Sequence, residues 1–198
     1  MNNERYIIGK VTLREHINKI DQNAKADSEH VRSLVWKLRP VFRNAGYYHA
    51  SNNDSLIKEF ATMIFETQDW RCTHWVEANE NELNGMWNNP GTNYRLWKTD
   101  RLSYEIDHVL PMNSGGKDHL ENIQFLTPNA NRFTKCSMTY EDMLRRVDLS
   151  TRLKKRVKHV IEQRQILFQS TKWKKYINKL EKLEQMKKNS TKNLTTKQ

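Results

Sequence analysis

The chain has 198 residues, 36% of them hydrophobic and 10% aromatic, with a mean hydropathy of −0.93 and a formal net charge of +11. That is enough apolar material for one domain with appendages or two small domains, and no run of about 18 apolar residues offers a membrane span. The N-terminus lacks the apolar core of a secretory signal, and Cys72 and Cys136 stand far apart without a CxxC pair, so a cytoplasmic, intracellular protein without a disulfide framework is expected.

Thr12 to Glu15 reads as a capping box, and Leu13, Ile17 and Ile20 follow at helical spacing. A second helix is predicted after Asp27 or Ser28, with Val31, Leu34, Val35 and Leu38 as its apolar stripe and Pro40 ending or kinking it. A third runs from about Asp54 to Thr67 on Leu56, Ile57, Phe60, Met63 and Ile64. Residues 1–67 are thus an N-terminal helical region. Residues 68–103 hold four Trp among turn residues and read as irregular structure with short strands. Those Trp side chains are expected to pack, with base stacking as the alternative.

Leu102 to Leu110 and Ile123 to Leu126 read as partner strands. Pro128 suits the first turn of a helix over Asn129 to Lys135, and Thr139 with Asp142 starts another through Val147, closing a core region over 68–147. Leu149, Leu153, Val157, Val160 and Ile161 continue at helical spacing. Ser170 restarts a helix carrying Trp173, Tyr176, Ile177, Leu180 and Leu183, a stripe long enough for docking within the chain but short for a dimer zipper. These form C-terminal helices over 148–186, and residues 187–198 have the composition of a disordered tail.

Charge is one-sided. Residues 148–198 hold 15 Lys/Arg and 4 Asp/Glu, and residues 1–147 hold 19 of each sign, so the whole excess lies in the C-terminal segment. Such a segment suits a polyanion, although a solvated helical face has the same composition. Arg152, Lys154, Lys155, Arg156 and Lys158 crowd its first helix, and Lys172, Lys174 and Lys175 open the second. Contacts from these to phosphates would add salt dependence without reading sequence.

The chemistry is concentrated in Tyr104 to Lys135, YEIDHVLPMNSGGKDHLENIQFLTPNANRFTK. Hydrolysis of a phosphodiester needs a base near neutral pKa and a cation to meet the developing charge. Asp107 is a hard oxygen ligand suited to Mg²⁺ or Mn²⁺, and His108 is the obvious base. Neighbours on a regular strand point to opposite faces, so the two serve one site only where the strand ends, which Pro111 marks. Asn131, at the predicted helix start, can supply the second ligand.

This string resembles the HNH nuclease family, whose core is a ββα-metal finger. The resemblance implies an α+β fold, a mainly helical chain around that small finger. It makes Asp107 and Asn131 the metal ligands, His108 the general base, and Gly115 and Gly116 the loop glycines. Asn122, nine residues before Asn131, matches the Asn that fixes the loop and orients the base. Lys135 matches a trailing phosphate-contacting Lys, with Arg132 as a substitute because Lys135 falls one residue late. Many members also carry two CxxC pairs around a structural zinc. Here the corresponding positions are Cys72, Trp75, Thr127 and Ala130, so no four-Cys zinc is expected and packing by Trp70, Trp75 and Trp97 must replace it. Cys72, His74 and Cys136 are a minority candidate for another zinc. Glu105 shares a strand face with Asp107 and is an auxiliary-ligand candidate, with a solvated carboxylate as the default. His119 is expected to be an ordinary exposed side chain.

The resemblance implies a metal-dependent endonuclease acting on double-stranded DNA, in restriction, phage or mobile-element (homing) cleavage. Cutting both strands with one site per chain would favour a homodimer. The rival expectations are a non-catalytic nucleic-acid-binding protein that keeps the fold, and a nuclease for RNA or structured DNA.

Overall fold

A computed structural model describes residues 7–8, 11–12, 25–74, 103–128, 130–135 and 137–195. Expectations that fall on 13–24, on 75–102 and on Cys136 lie outside the described residues. Two short strands, β1 (Ile7–Ile8) and β2 (Val11–Thr12), pair antiparallel. Thr12 therefore sits in a strand, and the helix expected to follow it is not among the described residues.

Helix α1 (Ser28–Asn44) starts where Asp27 accepts from the backbone N–H groups of Glu29 and His30, while His30 returns a bond to the Asp27 backbone. Pro40 does not end it. Val41 and Phe42 lie beyond the proline and are both buried, and their burial holds the last turn in place. Helix α2 (Asp54–Thr67) is capped by Asn53, whose side chain accepts from Ser55 and Leu56. It buries Ile57, Phe60, Ala61, Met63, Ile64 and Phe65, so both of these helices turn their stripes to one core.

Strands β3 (Glu105–His108) and β4 (Ile123–Leu126) form a two-stranded antiparallel sheet, with Glu105 opposite Leu126 and His108 opposite Ile123. Every residue of β4 is buried. Among the described residues no third strand pairs with its outer edge, and Gln68 takes that place. The Gln68 amide accepts from the Phe125 N–H at 3.0 Å and donates to the Phe125 carbonyl at 2.7 Å. A side-chain amide has the same donor and acceptor as a peptide, so one Gln satisfies two backbone groups that burial would otherwise strand.

A wide π-type turn (Ala130–Lys135) follows β4, and helix α3 (Tyr140–Arg145) starts at the Thr139–Asp142 capping box that the sequence pointed to. Helices α4 (Thr151–Gln169) and α5 (Thr171–Thr195) complete the chain. The helix reaches Thr195, beyond the point where composition suggested a disordered tail; no Gly or Pro interrupts it. Trp173, Tyr176 and Leu180 are buried in the main core, Tyr176 donates to the Leu56 carbonyl at 2.9 Å, and Glu184 accepts from His49 and Ala50 N–H groups at 2.7 and 2.8 Å. The apolar stripe of α5 thus docks within the chain. The result is a mainly helical α+β arrangement with one small hairpin against its core. Among the described residues, no helix is long and apolar enough to cross a membrane.

Candidate active site

The loop between β3 and β4 is folded back on itself by one side chain. Asn122 accepts from the Leu110 N–H at 2.7 Å and donates to the carbonyls of Leu110 and Lys117, both at 3.0 Å. Gly115 turns the chain with φ at 87°. A Cβ on Gly116 would lie 1.9 Å from the Leu110 carbonyl oxygen, so only glycine lets the loop close there. The two adjacent glycines serve different needs, one a backbone angle and the other a close approach.

His108 is the last residue of β3, on the face that meets this loop. Its Nε2 lies 2.6 Å from Oδ1 of Asp118, and Oδ2 of the same carboxylate accepts from Asn44 Nδ2, also at 2.6 Å. Burial alone would raise the Asp118 carboxyl, but the bonds from Asn44 and His108 outweigh it and hold the group below its usual value. Asp118 and Asn44 are residues that the sequence reading missed. Asp118 lies in a polar loop beside the more conspicuous His119, which is exposed as expected, and Asn44 is 74 positions from its partner.

Asp107 points to the other face, as alternation along a paired strand requires. Its Oδ2 accepts from Gln124 Nε2 at 2.8 Å and lies 3.1 Å from the Lys135 ammonium. Gln124 is in turn held by the hydroxyls of Tyr140 and Thr73. Two residues earlier on the same face, Glu105 accepts from Asn131 Nδ2 at 3.1 Å and from Arg132 at 2.9 Å. The π-type turn therefore crosses this face of the hairpin, with Asn131 and Arg132 over Glu105 and Lys135 over Asp107.

These contacts correct several expectations. Lys135 is fully buried and points inward, so it cannot meet a phosphate on the surface. Arg132 is exposed but engaged by Glu105. Glu105 is half-buried and paired, where a solvated carboxylate was the default. Oxygen donors of Glu105, Asp107 and Asn131 share one seam, a set whose chemistry suits Mg²⁺ or Mn²⁺. Asn131 uses Nδ2 in its bond and keeps Oδ1, the ligating atom, out of it. Among the described residues no group of three His, Cys, Asp or Glu that could hold a metal is found, and Glu105 and Asp107 are the two carboxylates beside the Asn131 amide.

Behind this seam Cys72 is buried, and its Sγ accepts from the Thr127 N–H at 3.4 Å. Burial pushes the thiol pKa up. Thr127 also accepts from the Ala130 N–H at 3.4 Å, so three of the four positions matched to the CxxC pairs stand together, with ordinary hydrogen bonds between them. Trp70 stacks on Phe65 at 5.6 Å between ring centroids, which is packing of the kind expected of it. Trp75 and Trp97 lie outside the described residues.

The basic helices divide into an inner and an outer set. Arg156 bonds Asp69 and the Gln68 carbonyl, Arg164 is buried against the Ile123 and Glu121 carbonyls, and Lys172 pairs with Glu66 at 2.6 Å. Arg156 therefore fastens α4 to the turn that follows α2, and Lys172 pairs α5 with α2 itself, so both nucleic-acid candidates also have partners within the chain. Lys155, Lys158, Lys174 and Lys175 are exposed, Lys154 is half-buried, and these five form no ion pair among the described residues; Arg152 is also exposed. Val109, next to His108, packs into a cluster with Tyr140, Met143, Leu153 and Val157, which sets the start of α4 beside the hairpin.

Comparison with family models, with curated proteins and with solved structures found no match.

Proposed function

We propose that this chain is a metal-dependent DNA endonuclease of the HNH, ββα-metal class. The observation that carries the reading is the division of labour across the end of β3. An imidazole held by a carboxylate occupies one face, and oxygen donors on a strand and a following helical turn occupy the other. A phosphodiester lying across that strand end meets both.

In this reading His108 accepts the proton of the attacking water, and Asn122 keeps the loop closed so that the imidazole stays in register. Asp107 and Asn131, with Glu105 beside them, would hold the cation, which when bound supplies charge neutralisation at the phosphate and the leaving oxygen. The exposed lysines of α4 grip the backbone of double-stranded DNA next to the cut. Restriction, phage and mobile-element cleavage all use such chemistry, and the chain is assigned to that group.

The test is cleavage of supercoiled plasmid, linear DNA and RNA with Mg²⁺ or Mn²⁺ by the wild type and by His108→Ala. Cleavage of DNA by the wild type is expected, with a loss of about 100-fold or more in the variant. No cleavage under any condition, or equal cleavage by the variant, sinks the reading. One observation favours the rival, a nucleic-acid-binding chain that retains the fold. The Lys135 ammonium already neutralises Asp107 and would have to be outcompeted. DNA binding with no cleavage is the outcome that selects it.

A further inference from the structure

His108 and α1 are connected through a single carboxylate, and this connection has a chemical consequence. Both oxygens of Asp118 are used, Oδ1 by His108 Nε2 and Oδ2 by Asn44 Nδ2, each at 2.6 Å. An ionised carboxylate only accepts hydrogen bonds, so Nε2 has to carry the proton. A neutral imidazole has one N–H, so the lone pair is then on Nδ1. Nδ1 forms no hydrogen bond among the described residues. Asn44 sits at the last position of α1, whose preceding turns are anchored by Val41 and Phe42 in the core.

We propose that Asn44, Asp118 and His108 form a positioning relay, in which the end of α1 fixes Asp118, and Asp118 fixes the tautomer and ring orientation that present His108 Nδ1 as the base atom. Asp118 and Asn44 act through His108 and do not touch substrate. The proposal rests on the nuclease reading above. It deepens that reading by naming the atom that takes the proton and by giving the N-terminal helix a part in catalysis. A structural ion pair would need neither the amide of Asn44 nor the short contact on both carboxylate oxygens.

The experiment compares wild type, Asp118→Asn, Asp118→Ala and Asn44→Ala, each checked for an unchanged melting profile. Plasmid cleavage is resolved into kcat and KM. Asp118→Ala is expected to lower kcat by about 10- to 100-fold with KM for DNA unchanged. Asp118→Asn keeps the shape and one acceptor, so it should recover part of that loss, and Asn44→Ala should lose several-fold. The second readout needs no activity. In ¹⁵N–¹H spectra of the histidine side chains, the wild type should show a slowly exchanging, downfield proton on His108 Nε2. That proton should disappear in Asp118→Ala. An active wild type whose Asp118→Ala variant keeps its kcat, or a wild type whose His108 carries its proton on Nδ1, overturns the relay alone. A wild type that cleaves nothing overturns the nuclease reading and the relay with it.

Discussion

The ammonium of Lys135 lies 3.1 Å from Oδ2 of Asp107, and the lysine has no exposed surface at all. Removing Asp107 would strand a positive charge in the interior, while removing Lys135 leaves a carboxylate still bonded to Gln124. The two halves of the pair are therefore unequal. Asp107→Ala should cost about 3–5 kcal/mol in denaturant unfolding, and adding Lys135→Met to it should recover most of that loss. A single variant that loses less than about 1 kcal/mol, or a double variant no better than the single, would show that the pair does not hold the seam together.

His74 gives the fold a pH dependence of its own. Both of its ring nitrogens are enclosed, and among the described residues no hydrogen bond of good geometry reaches either of them. Burial, and secondarily the nearby Lys135 charge, pushes its pKa down to about 4 from 6.5. In the unfolded chain His74 takes up a proton as pH falls through about 6.5, whereas the folded chain resists until about pH 4. Stability due to neutral His74 is thus complete above pH 6.5 and declines between there and pH 4. The loss across that window should be on the order of 2–3 kcal/mol. Unfolding midpoints for wild type and His74→Leu at pH 7 and pH 5 measure it. The variant should show a flatter profile, and parallel profiles would contradict this account.

What the sequence made legible follows from how local each cause is. The starts of α1, α2 and α3 are set by Asp27, Asn53 and Thr139, each acting within three residues of itself, so spacing and residue type were sufficient. β4 and the stripe of α5 were likewise readable, because burial follows apolar pattern. Asn122 stands out in the sequence only through the family resemblance; in the structure it makes three bonds to nearby backbone, at Leu110 and Lys117.

Illegible features are those made by one long-range polar contact. Gln68 replaces a strand for Phe125, 57 positions away, and no pattern distinguishes that Gln from an exposed one. Asn44 reaches Asp118 in the same way. Arg164 reads as one more cation in a basic helix, yet it is buried on backbone carbonyls. Charge counting reads Arg156 and Lys172 as outward cations and does not reveal that Asp69 and Glu66 lie opposite them. Pro40 is expected to end or kink the helix because its ring removes a hydrogen bond, but the helix runs on to Asn44, and the burial of Val41 and Phe42 outweighs that local cost.

The inward pairing of α4 and α5 also changes how DNA binding has to be tested. Deleting α5 would remove Trp173, Tyr176 and Leu180 from the core, so loss of binding in a truncation would report unfolding. The informative cations are Lys154, Lys155 and Lys158, which form no ion pair among the described residues and lie on the helix that packs beside Val109. Replacing all three with Gln should leave the melting profile unchanged. If each meets one phosphate, the slope of log affinity against log salt for double-stranded DNA should fall by about 0.9 per lysine removed, roughly 2 to 3 in total. The weakening should be the same for unrelated sequences, because backbone contacts carry no base information. Filter binding or fluorescence anisotropy across a salt series measures both quantities. An unchanged slope would place the DNA on another face of the molecule, and a sequence-dependent loss would mean that these lysines read bases.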